Sequence, residues 1–328
     1  MASWLLIHLL IGAVGTWLAR WYALRNELID QPGERRSHAV ATPRGGGIAL
    51  VIALLVATLA LAVRLPAQAP LLAAFGLGLA LVAGVGLIDD HRPLSASLRL
   101  AVHAVAAAVL AYAVWHVLDA PWLALGAFVA ALALTNVCNF MDGINGLAAS
   151  QAALIAVALG WLAGAPGLWL GLALAAACLG FLPFNFPKAR IFMGDVGSGA
   201  LGYALAGLMV LAATVLGSRS AVVLMPLSAF LIDAGLTLLR RMLRREAWWT
   251  AHSQHAYQVW ARRVGHTKVT IAYAMHTLVA VLALPVLLQT RMAFMLCTVA
   301  AWYMSGAFLW WWLQRAGSEP ALNSPGKV

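Results

Sequence analysis

The sequence predicts an all-α fold, a polytopic integral membrane bundle of about eleven transmembrane helices. Three observations carry this. Of 328 residues, 63% are hydrophobic and 10% charged, whereas soluble domains carry about 25% charged residues. Apolar runs close to the length that crosses a hydrocarbon core recur from end to end. The basic residues also sort by loop, as multi-span topology requires.

Taken in order, the spans are expected at 4–24, 48–63, 70–88, 100–118, 122–137, 147–163, 167–182, 200–216, 221–239, 269–288 and 292–313. The first contains His8, has no basic region before it and no clear small-residue cleavage site after it. It therefore reads as a retained span and not as a signal peptide. The short spans imply tilted or broken helices. Cys138, Cys178 and Cys297 are scattered in or beside apolar runs, which suggests neither a disulfide framework nor a metal cluster. No repeat or linker divides the chain. It reads as one domain, 1–328, with inner loops at about 25–47, 89–99, 138–146, 183–199 and 240–268. The tail after Arg315 is short and polar.

Eleven spans put the termini on opposite sides. Eighteen of the 21 Lys and Arg residues then fall on the side of the C-terminus, and only Arg64, Arg219 and Arg291 on the other. The positive-inside rule predicts an outer N-terminus and a cytoplasmic C-terminus. Topology thus accounts for the net charge of +10 before any nucleic-acid partner is needed.

The polar motifs fall on the same predicted inner face. The densest is FLPFNFPKARIFMGDVGSG at 181–199, where Asp195 sits among glycines between two apolar runs. Glycines allow close backbone approach to a ligand, helix starts favour anions, and a hard carboxylate suits Mg²⁺ shared with phosphates. The plain alternative is a tight polar turn. Asp89-Asp90 closes the third span, with Arg92 and Arg99 following. Adjacent carboxylates repel unless a cation or proton relieves them, so they suit a metal–diphosphate site or a phosphate to be deprotonated; otherwise they are a solvated helix end. The run 136–147 carries Asn136, Asn139, Asp142, Asn145 and two glycines, suited to reading a base or sugar amide or to forming a polar turn. His252 and His255 lie in the longest inner loop, after Arg240, Arg241, Arg244 and Arg245. Phosphate contact fits them better than zinc, which needs more ligands than this loop offers. Trp248 and Trp249 read as interfacial anchors. The first inner loop holds Arg35-Arg36-Ser37-His38 and Thr42-Pro43-Arg44-Gly45-Gly46-Gly47, whose glycines permit close packing on a ligand or a flexible entry to the second span. His8, His103, His116 and His276 read as structural. Walker-type, GxSxG and HExxH motifs are absent from the sequence.

Together, SHAVATPRGGG, LIDD, NVCNFMDGINGLA, FNFPKARIFMGDVGSG and LIDAGLTLLRR before a paired-histidine loop resemble the polyprenyl-phosphate N-acetylhexosamine-1-phosphate transferases, the bacterial glycosyltransferase family 4 type. The resemblance covers about 35–258, in order, and looks closer to enzymes that initiate O-antigen or related polysaccharides than to the muramyl-pentapeptide branch. It implies a multi-pass protein of the bacterial inner membrane acting at the cytoplasmic face. It implies transfer of a sugar-1-phosphate from a UDP-N-acetyl sugar to undecaprenyl phosphate, with release of UMP and a requirement for Mg²⁺, for which Mn²⁺ can substitute. By position, Asp195, Asp89 and Asp90 fall on the catalytic carboxylates, with Asp195 and Asp89 as metal ligands. Asn139, Asp142 and Asn185 fall on the nucleotide and catalytic pocket, and His252 and His255 on the phosphate-contacting loop. Arg44 and Lys188 are the further basic candidates for substrate contact. Two departures stand out: the second acidic residue of the family's DGxDG motif is Asn145, and its His-x-His-His pattern is HSQHAYQ. The competing class is a transporter or flippase of an anionic lipid or nucleotide sugar. No nucleic-acid partner is expected, and the last two spans leave open a homodimer or a lipid-facing edge.

Overall fold

A computed structural model describes residues 1–31, 33, 40–247, 249–250 and 252–316. The Arg35-Arg36-Ser37-His38 run, Trp248 and the tail from 317 lie outside the described residues. The fold is all-α, with eleven long α-helices and one short one among the described residues. They are α1 (Ala2–Arg25), α2 (Ile48–Arg64), α3 (Ala69–His91), α4 (Ala96–Leu118), α5 (Pro121–Phe140), α6 (Leu147–Ala163), α7 (Gly167–Asn185), α8 (Asp195–Leu216), α9 (Leu224–Leu243), the nine-residue α10 (Ala256–Val264), α11 (His266–Leu287) and α12 (Met292–Ala316). Two-residue strands β1 (Ile29–Asp30) and β2 (Thr42–Pro43) pair antiparallel between α1 and α2, Ile29 opposite Pro43 and Asp30 opposite Thr42.

Among the described residues, eight helical stretches are long and apolar enough to cross a membrane, one of them the run Asp195–Leu243 that holds both α8 and α9. The 17-residue α2 and α6 are shorter, about 25 Å each at the helical rise. The chain is a multi-pass membrane protein. Leu59, Trp122 and Leu282 are among the large apolar side chains turned outward, as a lipid-facing surface requires.

Eleven expected spans correspond to the eleven long helices, but the helices outrun the apolar segments at one end of the bundle. Helix α3 continues to His91 and α5 to Phe140, while α7 passes through Pro183 to Asn185 and α8 begins at Asp195. Hydropathy marks the part that matches lipid. A helix continues past that point wherever its polar side chains find partners, so motifs that read as loops are helix ends. The inner loop at 240–268 likewise contains α10, a short helix with too little apolar length to register as a span.

Helix α8 is the centre, packed on α2, α3, α5, α6 and α7. Small residues let it in close. A Cβ on Gly202 would lie 2.0 Å from the Leu134 carbonyl oxygen of α5. Tyr203 is fully buried, stacks on Phe75 at 5.7 Å and donates to the Ala106 carbonyl at 3.3 Å. The glycine-rich entry to α2 also packs on protein. Gly46 and Gly47 donate to the carbonyls of Phe192 and Met193 at 2.9 and 2.8 Å, and Phe192 donates to Pro43 at 2.8 Å. A Cβ on Gly47 would lie 2.3 Å from Gly197 Cα. These glycines meet the chain's own backbone, which is the close approach the sequence reading offered to a ligand.

Gly202→Ala should destabilise the protein by roughly 1–3 kcal/mol, the usual cost of overpacking. Gly126→Ala, at a helical site with nothing within 4 Å of the added methyl, should be neutral or slightly stabilising. Thermal unfolding of both variants in one detergent checks this; equal melting points would contradict the packing described.

Candidate active site

Helix α8 starts at Asp195 with four amide groups that its own turns cannot satisfy. Two of them are met by Asp90, from the last turn of α3. Its Oδ1 accepts from the Asp195 N–H and its Oδ2 from the Val196 N–H, both at 3.1 Å. The Asp90 side chain is 2% exposed, so this is a buried anion seated on a helix N-terminus. The approach needs bare backbone, since a Cβ on Gly194, at φ +78°, would fall 2.5 Å from Asp90 Oδ2. Arg44 joins through a hydrogen bond to the Asp90 carbonyl, with its Nε 3.9 Å from Oδ1. The anion site at this glycine-rich turn is thus filled by the protein's own carboxylate, and Asp90 braces α3 against α8.

Asp89 turns a different way. Its Oδ1 accepts from the Leu94 N–H at 2.6 Å and its Oδ2 from Arg99 Nη1 at 3.1 Å. The same Arg99 nitrogen lies 2.7 Å from Asp195 Oδ2. Two carboxylates from two helices therefore share one guanidinium nitrogen. Both are partly exposed, 15% for Asp89 and 31% for Asp195, and Asp195 lines a polar cleft of about 200 Å³.

Asp90, Asn139, Asp142, Asn185, Asp195 and Arg44 all line that cleft, so six of the ten sequence-derived site residues come together. Asn139 donates to Ser198 Oγ at 3.2 Å. Asn185 is buried and fully engaged, accepting from the Gly146 N–H at 2.7 Å and donating to the Ile191 carbonyl at 2.9 Å. It holds the two polar loops in register. Asp142 is half-buried, and burial, then Asp195 and Asp90, push its carboxyl well above the usual carboxylate range. Asp89 sits behind Arg99 and is absent from the cleft lining. Lys188 is exposed on the loop after α7 and does not line the cleft.

The paired histidines do not line it either. His255 is buried as the residue before α10, its ring stacked near Phe140 and Tyr257 at 6.2 and 5.7 Å. His252 packs beside it at 4.8 Å. Burial, with the charges of His255 and Arg241, pulls the His252 ring down to about 4. Buried Asp233 organises this corner. Its oxygens accept from the Ala256 and Tyr257 amides at 2.8 and 2.9 Å and from the Tyr273 hydroxyl at 2.8 Å. Asp233 therefore caps α10 as Asp90 caps α8. The residues that this corner gives to the cleft are Gln258 and His266, with His266 Nδ1 3.5 Å from the Asn145 N–H. Neither was singled out in the sequence, nor was Asp30 on β1, which also lines the cleft. A lone histidine after Arg262-Arg263 gave the only signal for His266. Of the isolated histidines, His8 donates from Nδ1 to the Trp4 carbonyl at 2.7 Å, and His276 lies 3.2 Å from Ser228 Oγ.

Among the described residues no three His, Cys, Asp or Glu side chains form a ready metal cage. Two carboxylates that converge on one cation are still a fit for Mg²⁺, which takes one or two protein carboxylates and completes its shell with water and phosphate.

Residues 72–213 match the family model described as glycosyl transferase family 4. The chain is 36% identical over 239 residues to the decaprenyl-phosphate N-acetylglucosaminephosphotransferase of Mycobacterium leprae, covering 62% of this chain and 59% of that one. It is 28% identical over 262 residues to a probable undecaprenyl-phosphate N-acetylglucosaminyl 1-phosphate transferase of Bacillus subtilis, covering 74% and 72%. It is 36% identical over 210 residues to the phospho-N-acetylmuramoyl-pentapeptide-transferase of Moorella thermoacetica, covering 55% and 64%. The match thus spans less than two thirds of the mycobacterial relative's length. The matched segment runs from α3 to α8 and holds Asp89, Asp90, Asn139, Asp142, Asn185 and Asp195. By that segment and these relatives, the chain is similar to the polyprenyl-phosphate hexosamine-1-phosphate transferases, of the glycosyl transferase family 4 type.

Proposed function

We propose that this protein transfers a sugar-1-phosphate from a UDP-linked N-acetyl sugar to undecaprenyl phosphate, as the initiating step of O-antigen or another envelope polysaccharide. The observation that carries this reading is Asp195, at the start of the central helix, paired with Asp89 across Arg99 and opening on a polar cleft at one end of a membrane bundle. A lipid acceptor keeps its chain in the bilayer and brings only its phosphate to such a site. The basic residues at this end support a cytoplasmic face, an outer N-terminus and an inner-membrane location. The whole chain is read as one catalytic domain.

In the reaction, an oxygen of the lipid phosphate attacks the sugar-bearing phosphorus of the donor. The bond to the bridging oxygen breaks, and UMP leaves with that electron pair. Phosphoryl transfer of this kind needs positioning and charge neutralisation more than covalent help. Asp195 and Asp89 would hold Mg²⁺ together with the donor diphosphate, and the ion would supply charge neutralisation there. Arg99 neutralises the two carboxylates and sets their spacing. Arg44 offers positive charge at the cleft wall, and Asn139 and Asp142 offer an amide and a carboxyl for the nucleotide or sugar. Asp90, with both oxygens committed to α8, acts as a positioning residue. Direct attack is favoured over a phospho-aspartate because the Asp195 carboxylate is tied to Arg99.

UMP release by the purified protein with undecaprenyl phosphate, Mg²⁺ and a panel of UDP-N-acetyl sugars is the decisive measurement. Asp195→Asn should reduce release on the order of a hundredfold or more, the scale of losing a group that stabilises charge in the transition state. A chelator should abolish it. Full turnover in the variant would overturn the assignment, and flux of donor across sealed vesicles without UMP would favour a transporter.

Asp90→Ala should lower folding stability by about 1–3 kcal/mol, because two buried amides lose their acceptor, and activity should fall with it. A variant that melts like the wild type would contradict the bracing role.

The His252 ring, pulled down to about 4, is neutral throughout pH 6–8 and contributes no ionisation there. His252→Asn should therefore leave the shape of the pH–rate profile across that range unchanged. Loss of a limb near pH 6–7 would show that the ring carries charge during turnover.

A further inference from the structure

The last four carbonyls of an α-helix have no partner within it, and at the end of α5 all four are met. Those of Val137 and Cys138 accept from the Met141 N–H at 3.0 and 3.2 Å, and that of Asn139 from the Asp142 N–H at 3.3 Å. The fourth, on Phe140, accepts from the Tyr257 hydroxyl at 2.9 Å. The first three donors are local. The last comes from α10, 117 positions along the chain.

Tyr257 reaches this carbonyl from a fixed base. It is the second residue of α10, inside a capping box made by His255 and Gln258. Its N–H donates to Asp233 Oδ2 at 2.9 Å, an oxygen that also accepts from the Tyr273 hydroxyl at 2.8 Å. The side chain is fully buried. Tyr257 is therefore pinned to α9 through its backbone and to α5 through its hydroxyl. The same hydroxyl lies against the turn after α5, where a Cβ on Gly143 would fall 2.2 Å from it. Asn139, Asp142 and Gly143, on either side of Phe140, line the cleft, and Tyr257 does not. Farther along this turn, Thr270 donates to the Asn145 carbonyl at 2.8 Å and Asn185 accepts from the Gly146 N–H at 2.7 Å. The turn is held at both ends, and Tyr257 is the hold beside Asn139 and Asp142.

We propose that Tyr257 is a positioning residue for the sugar-nucleotide donor: its hydroxyl fixes the end of α5 and so sets where Asn139 and Asp142 stand in the cleft. This rests on the transfer reaction proposed above, in which those two side chains meet the nucleotide or sugar. It gives the loop of His252 and His255 a mechanical part in a site that those histidines do not line.

The test compares Tyr257→Phe, which keeps the ring and removes the hydroxyl, with Tyr203→Phe, which takes a buried hydroxyl off the Ala106 carbonyl elsewhere in the bundle. With the best donor of the UDP-sugar panel, Tyr257→Phe should raise KM about fivefold to tenfold, the scale of one lost hydrogen bond. Its kcat should stay within about twofold, the mark of lost binding in place of lost chemistry. Tyr203→Phe should leave that KM unchanged. Gly143→Ala, whose methyl displaces the same hydroxyl, should raise KM to a similar extent. The double variant Gly143→Ala, Tyr257→Phe should be no worse than the worse single variant, because both changes break one contact. Hydrogen–deuterium exchange of the substrate-free protein in detergent gives a readout independent of turnover. Amides 141–146 should exchange about fivefold faster in Tyr257→Phe and at the wild-type rate in Tyr203→Phe. Unchanged KM, additive losses in the double variant, or unchanged exchange at 141–146 would each overturn the proposal. Absence of UMP release from the wild type would instead overturn the reaction on which the donor role rests, whereas an active wild type with an unaltered Tyr257→Phe variant defeats this proposal alone.

Discussion

A carboxylate buried as deeply as Asp90 is costly unless its charge is met, and an α-helix that begins inside a bundle has amides to satisfy. Each deficit is the other's remedy. The α8 amides and the positive end of its dipole receive the anion, and the anion fixes where along α3 the start of α8 must lie. Everything else at this end depends on that register. It puts Asp195 within reach of Arg99, and it aligns the segment 43–47 with residues 192 and 193. The architecture is thus set by an interaction that has no part in bond making.

The same device recurs where α10 begins. Asp233, buried in α9, takes the first amides of that short helix along with the Tyr273 hydroxyl. Nine residues are too few to hold a helix unaided. Capped from below, α10 has a fixed start, and Gln258 and the following His266 are delivered to the cleft. Two helix starts, both capped by a buried aspartate from another helix, contribute to the lining of one cleft.

The sequence made the spans legible because lipid imposes a length and a polarity that composition records directly. It made the face of the site legible because the polar motifs alternate with the spans. Helix ends were less legible, since Asn139 and Asp195 look like loop residues until their partners are known. The Asp89-Asp90 pair shows why. Adjacent side chains on a helix point roughly 100° apart, so one enters α8 and the other meets Arg99, and no reading of the pair as a unit finds that division. The histidine loop failed to line the cleft for a related reason. His255 is the residue before a helix whose cap, Asp233, lies 22 positions upstream, and that contact exists only in three dimensions.

The crossing of Gly47 and Gly197 closes off a freedom that most protein interiors keep. Where side chains meet, a larger residue on one side can be offset by a smaller one on the other, and sequences drift along such exchanges. Here backbone meets backbone, with a Cβ on either residue 2.3 to 2.5 Å from the opposing Cα. Neither partner has anything left to give up. Substitution at this crossing has no compensating step within reach, so sequence change in this part of the molecule has to proceed around it, through the lipid-facing surface and the loops.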